Sequence, residues 1–209
     1  MSVITDKVEL ANRALRKLGA QQISGFDDNS QESAILEDVF DQWRKSILTK
    51  SDWRFASKQD ALVQSGTDPE FGYKYKFDIP DDMLKLRALY VAYDDSADQS
   101  GNNLPILTDY KVFDAIHVDY ENIWAEYLYD ADYALWPAWF VEFAVSALAY
   151  ELAMPITRDT QLSQLYRVEA YGETSSMMGG LFAEATNQDT GQQPTDAFKL
   201  DIFTRSRFY

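Results

Sequence analysis

Apolar residues first recur with a helical period at Leu10, Ala11, Ala14, Leu15 and Leu18, one face of a 3.6-residue turn that stops at Gly19. Thr5 followed by acidic Asp6 predicts the N-cap of this short amphipathic helix, and Gly19 its C-terminal stop. After the turn-rich Ser24-Gly25-Phe26-Asp27-Asp28-Asn29, Ser30 predicts the cap of a second helix, whose Leu36, Phe40, Trp43 and Ile47 repeat at helical spacing. The two are expected to pack as an antiparallel pair. From Trp53 to about Ile116 the period shortens: Tyr73 to Pro80 alternates, and Leu86 to Tyr93 is rich in apolar and aromatic residues, so short strands are expected. The stretch from Asp94 to Asn103 is dense in turn residues and carboxylates and reads as a solvated loop.

Trp136-Pro137 opens a third helix, with proline preorganised at its first position. Trp139, Phe140, Phe143, Ala144, Ala147, Leu148 and Leu152 give it a wide apolar stripe up to Met154-Pro155, the expected centre of the core. Thr157 predicts the cap of a fourth helix running through Leu162, Leu165, Tyr166, Glu169, Ala170, Glu173 and Met177 to about Glu184, with Met177-Met178-Gly179-Gly180 as a weakening or end. Polar residues from Thr186 to Pro194 read as linker. The expected fold is mainly α with a smaller β region. Residues 1–55 and 134–185 supply an antiparallel bundle of about four helices, 56–133 form an inserted short-stranded β subdomain, and 186–209 form an extended C-terminal arm. That arm carries Phe198, Leu200, Ile202, Phe203, Phe208 and Tyr209, together with Arg205 and Arg207, and has little to bury itself in, so it is a candidate for docking on a partner or a neighbouring subunit.

Charge changes this picture most. With 34 acidic and 19 basic residues the net charge is −15, which repels a phosphate backbone and argues against tight nucleic-acid binding. The excess is concentrated between Tyr90 and Asp132, where ten carboxylates face one basic residue, Lys111. Asp94, Asp95, Asp98, Asp109, Asp114 and Asp119 are the candidate acidic surface. The absence of cysteine removes disulfides and thiolate chemistry and suits a reducing compartment, with the cytoplasm as default. Neither a signal peptide nor a run of about 18 apolar residues is expected. Aromatic content of 14% suits a chain that buries large surfaces against partners.

Candidate chemistry adds little. His117 stands alone among histidines, in strand-like Ala115 to Asp119, so no two-histidine metal site forms and the residue reads as a half-buried strand histidine. Asp94, Ser96 and Asp98 imitate the start of a calcium loop, but Gln99 and Pro105 occupy the positions that need glycine and glutamate. Glu121 with Glu126 offers a carboxylate pair, which in so acidic a chain reads as a charged face. The stripe Trp136, Trp139, Phe140, Phe143 reads as core packing. No catalytic residue, metal or cofactor is expected.

Several blocks taken in order resemble a known family: Asn12 to Gly19, the helix start Ser30 to Ala34, Trp43-Arg44 with Leu48, Trp53 to Ala56, Tyr75 to Leu86, and Ala144 to Thr157. They are similar to the tail tubular protein A family, the head-to-tail adaptors of short-tailed phages, over roughly residues 5 to 185. An aromatic tail and the acidic segment from Asp94 to Asn103 depart from the family pattern. The resemblance implies a virion protein at the head-tail junction: a ring, dodecameric in this family, between the portal protein and a tail tubular protein B-like nozzle. It implies a helical bundle built from both chain ends, strands towards the tail, a channel through which genomic DNA passes without tight binding, and no membrane partner. The competing readings are a carboxylate-based cell-wall hydrolase carried by a tail, and a non-viral scaffold.

Overall fold

The computed structural model describes residues 6–91, 104–173 and 179–191. They form five α-helices and two small antiparallel sheets: α1 (Lys7–Leu18), α2 (Gln31–Thr49), β1 (Ser57–Ala61), β2 (Tyr75–Phe77), β3 (Met83–Val91), β4 (Ile106–Leu107), β5 (Lys111–Val112), β6 (Ile116–Val118), β7 (Ile123–Tyr129), α3 (Ala138–Thr157), α4 (Thr160–Tyr171) and α5 (Gly180–Gly191).

The cap of α1 is Asp6, whose Oδ1 accepts the Glu9 N–H at 2.8 Å; the expected Thr5 lies outside the described residues. Gly19 closes the helix at φ 67, a conformation that is free of strain only without a Cβ. Leu10, Ala11, Ala14, Leu15 and Leu18 are buried, the face that the period marks out. Ser30 caps α2 by accepting from Ser33 N at 3.2 Å. The expected α1–α2 pair does not form as such: both helices pack chiefly on α3. The reason lies in α3, which is apolar apart from the exposed Glu142 and Glu151 and carries Ala144, Ala147, Ala149 and Ala153, all fully buried, so that backbones approach it from several directions. By length and composition alone α3 would also span a membrane, contrary to expectation; here that hydropathy faces α1, α4 and α5.

Two further corrections concern the C-terminal helices. Thr157 belongs to the last turn of α3, where its hydroxyl donates to Ala153 O at 2.6 Å, and α4 is capped by Asp159, which accepts from Gln161 N and Leu162 N. A carboxylate two residues later outcompetes the hydroxyl because it satisfies two orphan amides at once. The single fourth helix expected to reach Glu184 is instead two: α4 stops at Tyr171, and Gly180 starts α5, which carries Thr186 to Gly191, read as linker, in helical form.

The larger sheet has the order β1-β7-β3-β4 and the smaller one β2-β6-β5. Leu89, Val91, Leu107, Ile123, Ala125 and Tyr127 of the first share a core with Phe77, Ile116 and Val118 of the second. The helices bury a separate and larger core, which the chain leaves after Ala56 and re-enters at Ala131 and Trp136. Trp53 is fully buried, donates Nε1–H to Ile47 O at 3.0 Å, and lies against the rings of Phe55, Trp139, Phe140, Phe143 and Phe182. Tyr129 packs against both cores.

Candidate functional site

The docking residues Phe198, Leu200, Ile202, Phe203, Arg205, Arg207, Phe208 and Tyr209, and the acidic residues Asp94, Asp95 and Asp98, lie outside the described residues. The other three candidate aspartates converge on one place. Asp109, Asp114 and Asp119 flank the strands of the small sheet, and each turns to the segment leading through β2. Asp109 accepts from the Tyr73 hydroxyl at 3.4 Å, Asp119 from the Lys74 N–H at 3.0 Å, and Asp114 from Lys76 Nζ at 2.9 Å. The Lys76 ammonium holds the Asp114 carboxyl below its ordinary range, and Asp114 in turn raises Lys76.

His117, on β6, sits between the rings of Tyr73 and Phe113, with Nε2 buried, unpartnered and 3.7 Å from Asp114 Oδ1. Beside it opens a cavity of about 380 Å³ lined by Phe71, Phe113, Lys76, Lys111 and Asp114 among others. Phe71 is 87% exposed and Phe113 65%. Both rings line that one cavity.

A second surface was not marked by the pattern of the sequence. On the face of the larger sheet opposite its core, register places Ala61, Trp124, Tyr90 and Ile106 side by side across all four strands. Ile106 is 64% exposed, as is nearby Val63 at 73%. Next to this row Glu126 accepts from Gln59 Nε2 at 2.9 Å and Tyr90 OH at 3.0 Å and pairs with Arg87 at 2.7 Å. The Glu126 carboxylate thus accepts from three donors and links three strands. Across the sheet, Lys58 bridges Asp60 at 3.0 Å and Asp82 at 2.8 Å over the rings of Tyr127 and Tyr129. Asp82 raises the Lys58 ammonium, and Lys58 lowers Asp60. Ser57 to Ala61 has no strong alternation of apolar residues, so its place at a sheet edge is visible only once the sheet is assembled.

The helical half has its own groove, lined by Trp43, Lys50, Glu151 and Tyr171. Burial there pushes the Glu151 carboxyl and the Tyr171 hydroxyl up, with the charge of Lys50 opposing the shift of Glu151. Among the described residues no three His, Asp or Glu side chains are grouped so as to hold a metal ion. No protein-family model matches the chain, and no curated protein matches it at a significant level. Exposed aromatic and aliphatic side chains on the strand-rich region are interleaved with ion pairs.

Proposed function

We propose that the protein is a structural head-to-tail adaptor of a short-tailed phage, a subunit of a ring between portal and tail nozzle that continues the DNA channel. One observation carries this reading: helices from both ends of the chain enclose one core, with the strand-rich region inserted between them. The blocks that resemble the tail tubular protein A family make that junction. The Asn12 amide clamps Ile23 through both its oxygen and its nitrogen, fixing the exit from α1. Arg44 donates to Ala131 O at 3.0 Å, pairs with Asp130 and lies over the Tyr133 ring, tying α2 to the point where the chain returns from the strands. In this reading α1 and α2 with α3 to α5 act as the bundle that forms the ring wall, and the exposed rings of Phe71 and Phe113 face the tail.

The test is a mass measurement of the purified protein alone and mixed with its portal. A portal complex heavier by one adaptor per portal subunit is the expected result. A portal that keeps its own mass in the presence of excess protein would reject the reading.

A further inference from the structure

We infer that the cavity beside His117 receives an arginine side chain presented by a basic segment of a partner protein. The small sheet builds its floor. Register sets Lys76, His117 and Lys111 side by side across β2, β6 and β5, on the face turned away from the core residues Phe77, Ile116 and Val118. Its walls come from two loops: Asp68 to Tyr73, ahead of β2, and Phe113-Asp114, between β5 and β6. At about 380 Å³ the space lies at the small end of the roughly 300–1,000 Å³ typical of ligand pockets, which suits one long side chain with its flanking backbone.

Three features select the occupant. The first is the set of rings. Phe71 and Phe113 stand exposed, one on each loop, and Tyr73 and Phe113 flank the His117 ring at centroid distances of 6.4 and 5.6 Å. A guanidinium is planar and weakly hydrated and stacks on such rings, whereas the ammonium of a lysine holds its water more tightly.

The second is the balance of charge inside. Lys76 is taken up by Asp114 at 2.9 Å, and the two together are neutral toward a ligand. The Asp68 and Glu70 side chains have neither a hydrogen bond nor an ion pair among the described residues, Glu70 reaching Lys76 only through its field. Against these two free carboxylates stands one free ammonium, that of Lys111. It opposes a cation, but it lies exposed on the edge strand β5, where its long stem lets the charge swing into solvent.

The field around the cavity is the third. From Asp68 to Asp78 and from Asp109 to Asp119, six carboxylates stand against three ammoniums in a chain of net charge −15. Such a face draws in a basic segment and repels an acidic one. The inference does not rest on the adaptor reading; under that reading the arginine belongs to a protein on the tail side.

His117 is the chain's single histidine, so its imidazole gives one NMR signal at the floor of the cavity. The full chain, at fixed pH and low salt, is titrated with N-acetyl-arginine amide, with the corresponding glutamate and alanine amides as controls. The arginine compound should move the His117 signal and the Phe71 and Phe113 amides to saturation, the controls should leave them nearly in place, and added salt should weaken the effect. Phe71→Ala, and Asp68→Asn combined with Glu70→Gln, should each raise the apparent Kd about two- to fivefold, whereas Lys111→Gln should lower it by a similar factor. All four positions are exposed, so the variants keep the fold. Larger shifts with the glutamate compound, or affinities that move in the opposite directions, would assign the cavity to an anion and overturn the inference. Equal shifts with arginine and alanine, or unchanged affinity in the variants, would overturn it as well. No readout involves the portal, so failure here is distinct from failure of the adaptor assembly.

Discussion

Asp189 is 5% exposed on α5, and its two carboxylate oxygens both lie 3.2 Å from the Arg54 amide. Burial raises its pKa above the ordinary aspartate value of 3.8, against the Arg54 N–H and the charges of Arg54 and Arg87, which lower it. A carboxyl with a raised folded pKa binds its proton more tightly when folded. Its contribution is therefore fully present below the ordinary aspartate range and is lost as pH rises through the folded value. Asp189→Asn keeps an oxygen for Arg54 and removes the charge. Urea midpoints should show the variant more stable than the parent at about pH 7, with the gap closing towards about pH 4. A gap of constant size at both values would mean that the charge of Asp189 is not what its burial costs. No hydropathy pattern announces this residue: in sequence it sits in a polar run read as linker, and only the meeting of α5 with the Trp53-Arg54 turn makes it interior.

At the level of elements, α1 and α2 were legible from their apolar helical period, α3 from its long apolar stripe, and β2 and β3 from the alternation of Tyr73 to Pro80 and the apolar and aromatic enrichment of Leu86 to Tyr93, whereas β1 and β7 carry no such signal. The division of α4 from α5 was not legible. Leu162, Tyr166 and Ala170 repeat in a way that Met177 and Leu181 continue, and Leu165, placed on the same stripe, is 59% exposed. What separates the helices is a backbone contact. Gly180 has φ 61, and a Cβ on it would stand 2.4 Å from Glu169 O and 3.0 Å from Val168 O, while Gly172 closes equally tightly on Gly179. Two glycines thus let the start of α5 rest on the last turn of α4. Gly180→Ala should cost roughly 2–4 kcal/mol in chemical denaturation, combining the left-handed strain with a clash against carbonyls that cannot move. Gly191→Ala, which meets nothing within 4 Å, serves as the neutral comparison. Equal stabilities for the two variants would refute the close approach. The same limit applies to the candidate site: the exposed Phe71 and Phe113 are large apolar residues like any others in sequence, and only the small sheet sets them beside one cavity.

Over the whole molecule the charge of −15 remains the dominant electrostatic fact, but the structure redistributes its meaning. Asp109, Asp114 and Asp119 are not bare charges lining a surface. Each is turned to the β2 segment, where Tyr73, Lys74 and Lys76 sit, so that part of the acidic excess holds the small sheet together. Lys76 with Asp114 is locally neutral. Replacing all three with asparagine leaves Lys76 opposed only by the charges of Asp78 and Glu70 and makes the protein less negative by three charges. Exposed ion pairs contribute little to folding, so the variant should remain folded by circular dichroism. In a particle assembled as proposed above, if this tail-side face borders the channel, the Lys76 side chains of successive subunits, freed from Asp114, would weaken the negative lining and slow DNA passage. The expected result is slower ejection at low ionic strength that recovers as salt is raised, because counterions then compete with the lysines for phosphate. Ejection at parental speed from particles containing the variant ring would remove these three aspartates from the channel and leave them the structural role that their hydrogen bonds already describe.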